Sequence, residues 1–322
     1  MQMHDTISFL KRAVTKDGKN TPVMGCYFVH DGVIYARNMA LQAGAPFPAL
    51  ITEDFNVPAS MLDSALDRIK SDVDLTYSAG VATVSSTRLK VAIECISDDP
   101  PALPVFPDEW QTVPPDMMAA LKVALLFVSE DPGWNAGIRL MGDRVTAINN
   151  RSGVDMVVPG MSVPECILPP DCVVFILAQK LPPVQYLGSD TSIIFKWANG
   201  AWLQAQYLTG AFPTTVDRIL AIDNPEYPVE IADDWKAAYK DIAALSDGRV
   251  MIQSDQMAAE TQGSKAEYKV ETQIPEGLKT YWSVKGLDPV VEVATHWCPG
   301  TWPKPAPFKG PNLRGVVMGV NG

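Results

Sequence analysis

The chain has 322 residues, 47% of them hydrophobic and 20% charged, with a formal net charge of −11. No apolar run approaches the length needed to span a bilayer, which excludes a helical membrane protein. The acid excess excludes a protein that coats itself in nucleic acid through lysine and arginine spread over its whole surface.

From the start, Ile7 to Lys16 places Ile7, Leu10 and Val14 on one face and Lys11, Arg12 and Lys16 on the other, predicting an amphipathic helix. A hairpin follows from Cys26 to Arg37, turning at Asp31-Gly32. Then comes a phrase that recurs: Val57-Pro58-Ala59-Ser60, Val113-Pro114-Pro115-Asp116 and Leu168-Pro169-Pro170-Asp171, with starts 56 and 55 residues apart. Pro suits a strand end or first helical turn, and Ser or Asp can accept hydrogen bonds from the free N–H groups of a helix start, so each copy predicts a strand running into a helix. The helices carry apolar stripes such as Met61, Leu62, Ala65, Leu66 and Ile69.

After each helix, alternating apolar and polar residues flank a tight turn. These hairpins are Leu75 to Ser85 around Ala79-Gly80, Ile138 to Ile148 around Gly142-Asp143, and Ile193 to Leu208 around Asn199-Gly200. A further helix, Ala232 to Leu245, precedes a hairpin from Val250 to Glu260 near Ser254-Asp255. A sixth unit runs from Val284 through Pro289 to His296 and ends in a strand from Leu313 to Val320. Six units of roughly 54 residues are each too small to bury a helix face and a sheet face alone, so pairs of units make domains. With boundaries at the Pro-rich stretch Asp99 to Pro107 and at Ile222 to Pro228, the expected organisation is three similar α+β domains: 1–108, 109–222 and 223–322.

Catalytic chemistry has no nominee. His4, His30 and His296 are far apart and in no metal-binding spacing, and no phosphate-cradle or nucleophile-elbow motif occurs. The acidic pairs Asp98-Asp99 and Asp233-Asp234 adjoin prolines and a helix start, where structural reasons suffice. Cys26, Cys95, Cys166, Cys172 and Cys298 form an odd set without Cys-x-x-Cys spacing and read as free buried thiols; neither metal nor cofactor is expected. Met1-Gln2-Met3-His4-Asp5 lacks a basic segment leading into an apolar one, so the expectation is a cytoplasmic protein. The predicted helices carry Lys11, Arg12, Lys16, Lys19, Arg68, Lys70, Lys122, Lys180, Lys236 and Lys240 on their polar faces. Either these form one locally positive surface on an acidic body, or they complement helix dipoles and solvate a face.

Four segments carry a family resemblance. Tyr207-Leu208-Thr209-Gly210-Ala211-Phe212-Pro213 with Arg218-Ile219-Leu220, Val57-Pro58-Ala59, Thr21-Pro22-Val23-Met24-Gly25, and Gly315-Val316-Val317-Met318-Gly319-Val320 fall in order along nearly the whole chain. They resemble the bacterial DNA polymerase III beta sliding clamp family, and the short, divergent chain is similar to what a bacteriophage-encoded member would be. The resemblance implies a DNA clamp fold of three domains, each of two helix-plus-strands units. It further implies a closed homodimeric ring whose helices face duplex DNA without reading its bases, in the cytoplasm of a bacterial cell or phage host. It implies no enzymatic activity, with DNA polymerase and clamp loader bound through short peptide motifs in a pocket. By motif, the pocket would take Pro213, Arg218 and Ile219, then Val316 and Met318, with Val154 beside them, although Asn149-Asn150-Arg151-Ser152-Gly153 departs from the family pattern there. The chain's ending, Gly319-Val320-Asn321-Gly322, departs as well. An edge strand within Lys265 to Gln273 would pair with Arg88 to Ile96 of a second copy. The alternatives are a trimeric ring, or a clamp-like scaffold that binds partner peptides without a replication role.

Overall fold

The computed structural model describes residues 2–15, 22–48, 51, 53–69, 73–106, 108–131, 133–222, 227–261 and 264–321. Its element order repeats three times. The first round is α1 (Met3–Leu10), β1 (Cys26–His30), β2 (Val33–Arg37), β3 (Leu41–Pro46), β4 (Phe55–Pro58), α2 (Ala59–Arg68), β5 (Asp74–Ser78), β6 (Val81–Ser85) and β7 (Lys90–Glu94). The second adds a short β8 (Gln111–Thr112), then α3 (Met117–Leu125), β9 (Ile138–Gly142), β10 (Arg144–Ile148), β11 (Ser152–Val157), β12 (Val163–Leu168), α4 (Pro170–Leu177), β13 (Gln185–Gly188), β14 (Ser192–Lys196) and β15 (Trp202–Gln206), and closes with α5 (Thr214–Leu220). The third is β16 (Val229–Glu230), α6 (Asp233–Ala244), β17 (Arg249–Gln253), β18 (Gln256–Thr261), β19 (Ser264–Lys269), β20 (Thr280–Ser283), α7 (Val284–Val293), β21 (His296–Trp297), β22 (Ala306–Gly310) and β23 (Leu313–Val317).

The strands pair across rounds. One eight-stranded sheet runs β4-β1-β2-β3-β15-β14-β13-β8 and another runs β12-β9-β10-β11-β23-β22-β21-β16. Each therefore joins four strands of one round, β1–β4 or β9–β12, to four of the next, β8 with β13–β15 or β16 with β21–β23, through β3 with β15 (Gly44 opposite Trp202) and β11 with β23 (Gly153 opposite Val316). Two groups are left as separate sheets, β19-β18-β17-β20 and β5-β6-β7, with β19 and β7 at their edges.

Two compact units result, 1–113 with 171–207, and 114–170 with 208–322. In the first, Phe9 meets Phe175 and Trp197 edge-on at 5.1 and 5.0 Å, packing α1 and α4 together. In the second, Trp297 meets Trp282 at 5.0 Å and Trp235 at 5.6 Å, seating α6 over its sheet. Such aromatic pairs add to the area they bury. Cys26, Cys166, Cys172 and Cys298 are buried free thiols, and Cys95 is half-buried.

The structure corrects three local expectations. The first helix starts at Met3, because Met3, Ile7 and Leu10 form the buried stripe; it gives way to a 3₁₀ turn over Lys11–Ala13 and ends where Val14 turns extended. The caps expected from Ser60 and Asp116 are not made: Pro58 precedes α2, and Asp116 has helical dihedrals (φ −85°, ψ −9°). An N-cap side chain folds back onto the helix start from β-region backbone, which Asp116 lacks. The last strand stops at Val317, where the Met318 N–H turns to the Arg151 carbonyl at 2.7 Å.

Candidate functional site

The second unit carries an apolar cluster on the sheet face that α5 packs against. Pro213 (φ −64°, ψ 132°) leads the chain into α5, and its carbonyl accepts the Val216 N–H at 3.0 Å. Val216 and Leu220, one helical turn apart, then press with Phe212 onto Ile167 of β12 and Val316 of β23. Ile148, Leu208 and Ile219 border this cluster and remain half-buried. Directly opposite residues of antiparallel strands share a face, so the pairings Ile167–Arg139, Arg139–Thr146, Thr146–Asp155 and Gly153–Val316 place all of these on one side.

That side also carries two charge networks. Arg139, 5% exposed, donates to Asp217 of α5 at 2.8 Å and lies 2.9 Å from Glu165, with its guanidinium 5.2 Å over the Phe212 ring. Asp155, 3% exposed, accepts from Arg144, from Thr146 Oγ1 at 3.1 Å and from Arg314 Nε at 3.2 Å. The hydrogen bond to Asp155 raises the Arg144 guanidinium above its ordinary value.

The expected pocket residues divide accordingly. Ile219 and Val316 belong to the cluster, Pro213 starts the helix that carries Ile219, and Arg218 is exposed on that helix. Met318, 38% exposed, lies two residues past Val316. Val154 pairs with Gly315, so the pleat turns it to the other face of the sheet, where it is fully buried. Sequence reasoning missed Ile148, Ile167, Val216 and the Arg139–Asp217–Glu165 trio. Val216 and Leu220 offered the single local signal, a four-residue apolar spacing in a helix of only seven residues.

Of the expected helix-face cations, Arg12, Arg68, Lys122 and Lys240 are exposed and Lys236 is half-buried. Lys11 and Lys180 are exposed but lie 3.3 Å from Asp63 and 3.5 Å from Asp5. Lys16, Lys19 and Lys70 lie outside the described residues, as does Thr21. In the second unit α3 and α7 flank a cleft of about 1050 Å³, where Lys122 is joined by Arg151 and Lys285. Those two cations had not been singled out from the sequence.

No protein-family model matches the chain. No curated protein matches it either. Solved structures do. The Caulobacter crescentus pol III beta structure is similar at 14% identity with a TM-score of 0.83, covering 98% of this chain and 97% of that one. The DNA polymerase III beta subunit of Thermotoga maritima is similar at 14% identity and 0.79, covering 98% and 96%. The Helicobacter pylori beta clamp bound to a DNA ligase peptide is similar at 12% identity and 0.77, covering 99% and 98%. Agreement over nearly the full length of every one of these chains identifies the fold of this chain as that of the DNA polymerase III beta sliding clamps.

Proposed function

We propose that the chain is a DNA sliding clamp: a homodimeric ring that encircles duplex DNA and tethers a replicative polymerase, with no catalytic activity of its own, working in the bacterial or phage-host cytoplasm. The observation that carries this reading is the pair of edge strands β7 and β19. They occupy the places that β15 and β23, and β3 and β11, fill in the two eight-stranded sheets. Pairing β7 of one copy with β19 of the next completes a third sheet of the same kind, and two such junctions close a dimer. The threefold element order supports a division into domains 1–108, 109–222 and 223–322, each contributing two of the helices α1, α2, α3, α4, α6 and α7.

Those helices would then line the hole. Sparse cations such as Arg12, Arg68, Lys122, Lys236 and Lys240, with Lys11, Lys16, Lys19, Lys70 and Lys180, would hold phosphates without base readout, so that the ring slides. The sheet face beside α5, with Pro213, Arg218, Ile219, Val316 and Met318 proposed around the site and Val154 on the other side of the sheet, would take short peptides from polymerase and loader. The pairing of Lys11 and Lys180 with aspartates, together with the net charge of −11, favours a second reading, a clamp-like scaffold that binds peptides without holding DNA. A topological experiment separates the two. A clamp stays with closed circular DNA through gel filtration and is released when the circle is linearised, whereas a scaffold elutes free of DNA in both cases. Charge reversal at Arg12 and Lys122 is expected to weaken retention while leaving the oligomer intact.

A further inference from the structure

In the first unit, the tip of the β1–β2 hairpin and the residue before β4 bring together His30, Asp31 and Asp54, with one ligand atom of each within 4.8 Å of the other two. We propose that this cluster is a binding site for a borderline divalent cation of the zinc class, with His30 Nε2 and the Asp31 carboxylate as ligands and Asp54 as the group that orients the imidazole. His30 Nε2 lies 3.3 Å from Asp31 Oδ2. An ion that holds both atoms at roughly 2.0–2.2 Å in tetrahedral coordination sets them about 3.3 Å apart, so the pair already has the required spacing. On the other edge of the ring, Asp54 Oδ2 lies 2.5 Å from His30 Nδ1. A carboxylate on the far nitrogen fixes the tautomer, aims the free nitrogen at a metal and makes it a stronger ligand.

The cluster is held before any ion arrives. Asp31 (φ 50°) and Gly32 (φ 73°) form the tight turn, and the Asp31 N–H donates to Asp54 Oδ1 at 3.3 Å. Asp54 is fixed by the next residue, since Phe55 pairs with Val29 across β1 and β4 and stacks on Tyr77 at 4.5 Å. One carboxylate suffices to orient an imidazole, and the second leaves an unbalanced negative charge that a dication neutralises. The imidazole selects the class, because magnesium and calcium prefer all-oxygen sites. His30 is half-buried and both aspartates are exposed, so water completes the coordination.

The test uses the full-length chain stripped with EDTA and titrated with cobalt(II), followed by visible absorption, and with zinc(II), followed by calorimetry. One ion per chain is expected. His30→Gln and Asp31→Asn should each lose at least tenfold in affinity. Asp54→Asn, which keeps both ligands, should lose about 10- to 100-fold, and magnesium should give no response. Asn tolerates the positive φ at position 31, so that variant keeps the turn, and it decides the matter should His30→Gln melt early. Absence of cobalt and zinc binding by the unaltered chain, or binding by Asp31→Asn equal to the unaltered chain's, overturns the proposal.

Discussion

Burying a guanidinium is costly unless it is paired, and Arg139 is paired with Asp217 and Glu165 and lies over the Phe212 ring. Because Asp217 belongs to α5, this charge pair fastens the helix that carries the apolar cluster. Asp217→Ala should therefore lower stability by about 1–3 kcal/mol, the cost of a buried charged donor losing a partner, and a thermal melt reads it directly. Met318 makes a cleaner test of the proposed peptide site, since it is exposed and its loss leaves the core intact. Met318→Ser should weaken binding of the short peptides proposed for this face at least tenfold without moving the melt; undiminished binding removes Met318 from the proposed site. A third effect concerns alkaline pH. Burial lifts the Cys26 thiol to about 11, with Cys95 and Asp98 adding to it, and lifts the Tyr35 phenol to about 12. Burial, with Asp63 and Asp288 respectively, also holds Tyr27 and Tyr239 above the ordinary phenol. These groups are neutral when protonated, and the folded chain keeps their protons where the unfolded chain has released them. Their contribution is complete below pH 9, where an unfolded thiol begins to ionise, and is lost as pH rises through 11 to 12. A two-unit shift at one thiol amounts to about 3 kcal/mol. Unfolding free energies from urea titrations should fall by that order between pH 8.5 and 11.5, and a flat profile would contradict the burial of these groups.

At the scale of elements, the seams between rounds depend on glycine. A Cβ built on Gly44 would overlap the Trp202 indole, and one on Gly315 would overlap the Phe308 ring and the Gly153 carbonyl. Gly44→Ala should therefore destabilise by about 1–3 kcal/mol, as overpacking of a rigid contact does, with the first unit's transition moving and the second unit's unchanged in hydrogen exchange. The hairpins themselves were legible in the sequence, because their turns demand backbone that few residues adopt. Asp31, Gly32, Ala79, Gly80, Gly142 and Gly200 all take positive φ. The helices were legible from their stripes, less securely at their ends, where Pro58 and Asp116 carry no side-chain cap. The seams were not legible. The pairing of Ala43 with Leu203 joins strands from different rounds, and nothing local to either strand announces its partner. The same distance hid the trio on Arg139, whose partner Asp217 lies 78 residues on. It hid the His30 cluster too, because Asp54 arrives only through the β1–β4 pairing. Ile219 and Val316 of the apolar cluster were quoted from the sequence, whereas the face that Val154 takes is settled only by its register opposite Gly315.

For the molecule as a whole, the decisive property is what the edge strands β7 and β19 do. An edge strand exposes a row of unpaired N–H and C=O groups that pairs with whatever strand fits, and proteins limit such pairing with charge. On β19, Lys265, Glu267 and Lys269 do this, with Lys265 and Glu267 paired at 2.5 Å, but Tyr268 between them is 39% exposed. An aromatic ring on a strand otherwise lined with charge marks the place where a second copy would gain apolar contact, and cross-strand aromatic contacts contribute about 0.2–1 kcal/mol each. A dimer that closes through two identical junctions counts such a contact twice. Tyr268→Ala should then weaken dimerisation about two- to thirtyfold, the range that doubling gives, while leaving the melt of each chain in place. Sedimentation over a dilution series measures this. The unaltered chain is expected at twice its 35.0 kDa, with Tyr268→Ala dissociating at higher concentration. An unaltered chain that sediments at three times that mass makes the ring a trimer, and one that stays single at every concentration leaves β7 and β19 unpaired and the clamp without closure.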